Sequence, residues 1–268
     1  MYKVLRTGLC VIAALVLMTS GLIAGVMQAK AQPSQDGVPI LVYHRFGATV
    51  MDSMTVRTET FEQQIAWLKE NGYQIIPLRL LLESLRNPQL APPPHAVVIT
   101  VDDGHRSVYT EMLPVIRRER IPVTLFIYPS AISNADYALT WEQLKEMSGT
   151  GLVDVQSHTY WHPNFHHEAA NRDPKDYEAF VRKQFLQSQA TIDHQLGGTV
   201  DLLAWPFGIY DTQLEQWARD CGYIAAFTLE RRGAAKGDDL MALPRFLITD
   251  ADRGARFAAL IERGKRYK

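Results

Sequence analysis

The chain predicts a single α/β domain built on a parallel sheet, either a closed or an incomplete barrel. Three observations carry that expectation. Apolar runs of strand length alternate with helical patterns about seven times, with no linker between them. Val97-Val98-Ile99-Thr100-Val101 is apolar on both faces apart from one Thr, the pattern of a strand covered on both sides by helices. The composition, 47% hydrophobic and 21% charged over 268 residues, is enough for one large core.

The first residues stand apart from that domain. Lys3 and Arg6 precede an apolar run from Gly8 to about Met27, and Ala29-Lys30-Ala31 is a small-x-small site. This is the pattern of an export signal cleaved after Ala31, although the run is long enough to act as an uncleaved membrane anchor. Residues 32–37 read as a disordered lead-in, and 38–268 as the folded domain.

Within the domain, Val38 to His44 is a strand that ends on an aromatic and a His. Thr60-Phe61-Glu62-Gln63 has the form of a capping box, and Phe61, Ile65 and Leu68 repeat at helical spacing up to Asn71-Gly72. A short strand at Ile75 to Leu78 and a short helix at Leu80 to Leu85 lead to Pro92-Pro93-Pro94 and the buried strand. The helix after Gly104 runs to about Arg120, with a kink expected at Pro114. Val123 to Tyr128 is the next strand, and Thr140 to Gln143 caps the helix that follows. Val153 to His158 is a strand, a long helix spans about Lys175 to Leu196, and Leu202 to Gly208 is a strand with a turn. Asp211 caps a helix ending at Cys221-Gly222. Strands at Tyr223–Leu229 and Leu243–Ile248 and a helix from about Asp252 to Arg263 complete the alternation.

Charge and cysteine content exclude some classes. Without residues 1–31 the chain has 25 basic and 29 acidic residues, a net charge of −4. A mildly acidic domain offers no electrostatic attraction to nucleic acid or to an anionic membrane surface. Cys10 lies in the signal, which leaves Cys221 alone and no intramolecular disulfide.

The buried strand runs directly into Asp102-Asp103-Gly104. The carboxyl ends of parallel strands are where ligands and catalytic groups collect, and two adjacent carboxylates favour a cation nearby. Asp-Gly is also a common turn pair, so these residues alone leave both readings open. His158 and His162, four apart just after another strand, supply the rest of a set. On a helical turn that spacing places both imidazoles on one side. Two His and one carboxylate around a cation with open positions, plus a second Asp free as a base, suit hydrolysis of an unactivated amide or ester.

Thr100-Val101-Asp102-Asp103-Gly104, then Ser157 to Asn164 (Ser-His-Thr-Tyr-Trp-His-Pro-Asn), then Trp205-Pro206-Phe207-Gly208 resemble the first three motifs of the polysaccharide deacetylases. These are carbohydrate esterase family 4 enzymes with a NodB homology domain. The motifs stand in the family's order, and the resemblance covers most of residues 38–250. Phe61 to Gly72 and Val42-Tyr43-His44 are similar to the branch that deacetylates poly-β-1,6-N-acetylglucosamine in biofilms.

The resemblance implies a distorted (β/α)7 barrel and one divalent metal ion, zinc first, with iron, cobalt or nickel as alternatives. Asp103, His158 and His162 would hold the metal, and Asp102 would be the general base that deprotonates the water it activates. The backbone N–H of Phe207 would stabilise the oxyanion, with Pro206 and Gly208 shaping its turn. Two features depart from the family. Ala204 stands where an Arg usually orients the base, and no His follows His194 to form the C-terminal Leu-x-x-His that supplies the acid. The biofilm branch shares these gaps and uses the His of its first strand, which makes His44 the expected acid here. Arg245 is a candidate for the missing orienting Arg.

Tyr43, Tyr160, Trp161, Trp205 and Pro206 are the candidate substrate contacts, since aromatics near strand ends can stack on sugar rings. Tyr128 lies in a similar position. His105 could line the cleft or start a helix, His166-His167 are expected in a solvated loop, and His95 and His194 at the surface. The expected protein is an exported hydrolase of the periplasm or cell surface, a monomer acting on a polysaccharide, with membrane export machinery as a further partner. The chain past the barrel leaves no room for the glycoside-cleaving domain that some relatives carry. A peptidoglycan or chitin-oligosaccharide deacetylase is the alternative within enzymes, and the missing Leu-x-x-His counts against it. A non-catalytic carbohydrate-binding relative is the alternative outside them. The presence of base, ligands and acid candidate counts against that.

Overall fold

Strand β5 (Ala96–Asp103) has every residue but Asp103 buried, as its two-sided apolar run requires. It pairs in parallel with β1 (Ile40–Tyr43) on one side and β6 (Val123–Ile127) on the other. The row continues through β7 (Val153–Ser157), β8 (Leu202–Ala204) and β9 (Ala225–Phe227), while β1 pairs with β10 (Phe246–Leu247). The order is β10-β1-β5-β6-β7-β8-β9, with β4 (Gln74–Ile75) added beside the start of β5. A separate parallel pair, β2 (Arg45–Gly47) and β3 (Thr55–Arg57), stands outside this sheet. The two ends of the row meet at a parallel bridge between Phe227 and Leu243. The sheet therefore curls into a half-barrel, the incomplete barrel that the alternation of elements allows and the distorted (β/α)7 form that the family resemblance implies. This computed structural model describes residues 37–265. The expected export signal lies outside the described residues.

Side-chain parity along the strands fixes what faces the barrel interior. On β5, Val97, Ile99 and Val101 join the core under the outer helices, whereas Val98 belongs to the inner cluster with Ile40, Phe126, Ala204 and Phe227. Thr100 and Asp102 share the parity of Val98. Tyr43 stands beside Val101 in the register, so it turns outward with that residue.

The outer layer consists of α1 (Thr58–Glu70), α2 (Leu78–Arg86), α3 (Leu113–Glu119), α4 (Trp141–Gly149), α5 (Phe165–Ala170), α6 (Pro174–Leu196), α7 (Thr212–Asp220) and α8 (Ala255–Lys265). The capping box expected at Thr60–Gln63 does not form. Helix α1 starts two residues earlier, at Thr58, and the Thr60 hydroxyl donates instead to Asp250 at 2.7 Å. The box at Thr140–Gln143 does form, and Asp211 accepts from the Leu214 N–H at 2.7 Å. The helix after Gly104 is broken into a π-helical turn over Val108–Met112 and then α3, with Pro114 at its start. That position suits a residue with no N–H to donate. His166 and His167 lie not in a loop but on α5, which Asn164 caps by accepting from the His167 N–H at 3.1 Å.

Candidate active site

The carboxyl ends of β1, β5, β7 and β8 bring His44, Asp102, Asp103, His158, His162, Trp205 and Phe207 around one cleft of about 200 Å³. Asp102, the next-to-last residue of β5, faces inward and is fully buried. Its carboxylate is gripped by the Arg245 guanidinium, Nη1 donating to Oδ1 at 2.8 Å and Nη2 to Oδ2 at 2.7 Å. Arg245 is itself fully buried, donates from Nε to the Thr228 carbonyl at 3.1 Å, and lies over the ring of Phe126 at 5.5 Å. Burial pushes the Asp102 carboxyl up, but the Arg245 guanidinium, through its charge and its hydrogen bonds, more than offsets this and brings it to about 2. Asp102 is therefore a buried, ionised carboxylate held in a fixed orientation.

Asp103 leaves the strand in a left-handed conformation, φ 73°, which swings it away from the alternation. Gly104 follows at φ 71°, where a side chain would be strained and its Cβ crowded by Ile127 at 3.0 Å and Ile132 at 3.1 Å. His158 and His162 are not on a helical turn as expected. They sit in an irregular loop in which Thr159 (φ 65°) and His162 (φ 61°) are left-handed. The loop nonetheless brings the two imidazoles together, with ring centroids 4.5 Å apart.

The Asp103, His158 and His162 donor atoms all lie within 4.8 Å of one another. His158 Nε2 is 3.7 Å from Asp103 Oδ1, and His162 Nε2 is 3.8 Å from it. The Nδ1–H of His158 donates to the Ala204 carbonyl at 2.7 Å, which presents the Nε2 lone pair to the cluster. Burial and the neighbouring His158 lower His162 to about 4, so its ring is neutral and able to ligate near neutral pH. The residues present fit a two-His, one-carboxylate metal site.

His44, at the parity opposite to Tyr43, lines the same cleft, and its Nδ1 is buried with no hydrogen-bond partner. Burial lowers its pKa, against the pull of Asp102 and Asp103. Phe207 is left-handed (φ 57°), exposed, and edge-on to His162 at 4.5 Å. Gly208 beside it (φ 69°) has Leu229 at 3.3 Å from where a Cβ would sit.

The aromatic candidates divide. Tyr43 does not reach the cleft: it is fully buried beneath α1 and donates to Gln64 Oε1 at 2.9 Å. Trp205 touches the cleft wall but packs as a core ring, its Nε1–H donating to the Met241 carbonyl at 2.8 Å. Pro206 is buried in the turn. Neither offers a face to a sugar. Tyr160 is half-buried, while Trp161 is exposed and braced edge-on by Phe180 at 5.9 Å. His105 hydrogen-bonds Ser107 Oγ through Nδ1 at 2.8 Å, and its carbonyl accepts from the Val108 N–H at 2.9 Å, opening the π-helical turn. His95 and His194 are exposed, as expected.

Parallel strand ends presenting a held carboxylate beside a cluster able to bind a metal define a hydrolase of the α/β-barrel type. The chain belongs to the polysaccharide deacetylase family, whose model matches residues 89–226, just over half of its length. It is 28% identical over 228 residues to YxkH of Bacillus subtilis (strain 168), whose name assigns it provisionally to the polysaccharide deacetylases; the match covers 84% of this chain and 76% of that protein. It is 28% identical over 242 residues to the poly-beta-1,6-N-acetyl-D-glucosamine N-deacetylase of Escherichia coli (strain K12), covering 78% of this chain but 36% of that enzyme. The chain thus spans about a third of that relative's length. Among solved structures, IcaB from Ammonifex degensii superposes with a TM-score of 0.74 at 25% identity, covering 85% of this chain and 97% of that one. The Streptococcus pyogenes deacetylase PplD superposes with a TM-score of 0.75 at 22% identity, covering 84% and 98% of the two chains.

Proposed function

We propose that this polysaccharide deacetylase is an exported, metal-dependent enzyme that removes acetyl groups from N-acetylglucosamine units of an extracellular polymer, poly-β-1,6-N-acetylglucosamine first. One observation carries the reading. Asp102, gripped by a buried Arg245, stands 3.7 Å from His158 Nε2, beside the cluster of Asp103, His158 and His162. The polymer is supported by the names of the Escherichia coli and Staphylococcus aureus relatives.

Asp103, His158 and His162 would hold a divalent cation, zinc or alternatively iron, cobalt or nickel, which when bound polarises the amide carbonyl and acidifies water. Asp102 accepts the proton of the attacking water, and Arg245 keeps both of its oxygens in place while it does so. The Phe207 N–H stabilises negative charge on the carbonyl oxygen in the tetrahedral state. His44 gives a proton to the departing amine, so acetate and a free glucosamine nitrogen leave.

The test is acetate release from the 1,6-linked polymer, before and after chelation and after metal add-back, with chitin oligomers and acetylated peptidoglycan in parallel. Chelator-sensitive release from the first supports the whole reading. Release from the others alone reassigns the polymer. No release from a metal-loaded protein leaves a carbohydrate-binding module.

A further inference from the structure

An aromatic wall adjoins the cleft on the β5 and β6 side. The ring of Tyr128, at the end of β6, lies 5.4 Å from that of His162. Its hydroxyl shares a 2.7 Å hydrogen bond with the hydroxyl of Tyr137. Tyr137 in turn lies nearly parallel to His105, centroids 6.3 Å apart and planes 12° from each other. His105 is two residues beyond Asp103, so the wall begins and ends on neighbours of the metal cluster.

Tyr137 is 42% exposed, yet it is fixed in three ways. Its carbonyl accepts from the Arg106 N–H at 2.7 Å, and the adjacent Ala138 forms an antiparallel bridge with His105. The Leu139 N–H donates to the Gly104 carbonyl at 2.9 Å, so the loop after β6 is zipped to the loop after β5. The ring rests on His105, which Ser107 anchors, and the hydroxyl is tethered by Tyr128. An exposed aromatic with its backbone, ring and hydroxyl all held has already lost its freedom in folding. A partner that lands on it orders little more. A ring with an apolar body and a polar tip suits the C–H face of a pyranose and its hydroxyls.

We propose that Tyr137, backed by His105 and Tyr128, is a stacking subsite for the sugar unit next to the one being deacetylated. The proposal rests on the deacetylase reading above and adds to it that the enzyme measures polymer length.

The experiment compares wild-type and Tyr137→Ala protein, metal-loaded, on β-1,6-linked N-acetylglucosamine oligomers of one to six units. The expected result is a variant-to-wild-type ratio of KM that grows with length and reaches about 3–10-fold on the longer oligomers. Tyr137→Phe, which keeps the ring, should restore most of the difference. A ratio that is flat across lengths, with metal content and melting unchanged, overturns the subsite while leaving the deacetylase reading intact. If wild type turns over only chitin oligomers, the same length series is run on those. If it turns over none, calorimetric titration with the six-unit oligomer decides: weaker binding by the variant supports the subsite, and equal binding overturns it.

Discussion

Arg245 is bonded to Asp102, Thr100 and the Thr228 carbonyl and to no member of the metal cluster, so its substitution separates orientation from ligation. Arg245→Lys keeps a charge but loses the two-pronged grip. Turnover should fall about 10–100-fold while bound metal stays stoichiometric. The acid limb of the pH–rate profile should move upward, because a less well-held cation lets the carboxyl pKa rise. His44→Ala should likewise retain metal and lose most turnover; wild-type-like activity would remove His44 from the acid role. The grip also bears on stability. Asp102 is held at about 2, below the ordinary 3.8. A depressed carboxyl contributes stability that is fully present above its unfolded value and lost as pH falls through the folded one. Asp102→Asn should therefore cost about 3–5 kcal/mol near neutral pH, by leaving Arg245 unpaired, and the gap to wild type should narrow between pH 4 and 2. Denaturant midpoints across that range check it. Asp102, Asp103, His158 and His162 are legible in the sequence because each follows a strand-like run. Arg245 left one unused signal, a lone charge inside the apolar run Leu243 to Ile248, which implies a buried partner. Tyr43 and His44 are neighbours at the end of β1 and point to opposite faces, so with His44 in the cleft Tyr43 must turn outward beside Val101.

The elements obey local chemistry except where a distant group outbids it. Helix α1 has no side-chain cap of its own at Arg57. The Asp250 carboxylate, from the loop after β10, accepts from the Arg57 N–H, the Arg57 guanidinium and the Thr60 hydroxyl. Asp250→Ala should destabilise the protein by about 1–2 kcal/mol and raise amide exchange in the first turn of α1 more than elsewhere. No window of sequence around Thr60 contains Asp250, which is why the capping-box signature there misleads. At Thr140 nothing competes, and the same signature holds. Helix α5 escapes a periodicity reading because six residues are too few for two apolar turns, although Asn164 marks its start. The strands β8, β9 and β10 are two or three residues long where the apolar runs are longer. Their carboxyl ends turn early into the loops that carry Phe207 and Leu229 to the cleft.

For the molecule as a whole, cation binding and folding should be linked. A metal held only by the assembled Asp103, His158 and His162 stabilises by about 2.7 kcal/mol at a hundredfold excess over its Kd. Chelation should thus lower the melting temperature without unfolding the barrel, and restored metal should raise it again. Among the described residues no helix is long and apolar enough to cross a membrane. The barrel itself was readable from alternation alone, but the order of its strands and the single bridge joining its ends were not, since the chain carries no local record of which strands become neighbours. Asp103, Thr159, His162 and Phe207 all hold left-handed backbone that side chains disfavour by roughly 1–2 kcal/mol each. The core beneath them carries no such burden. On warming, these loops should relax before the strands separate, so the enzyme would have two temperatures rather than one: a lower ceiling for work and a higher one for survival, with reversible idling in between.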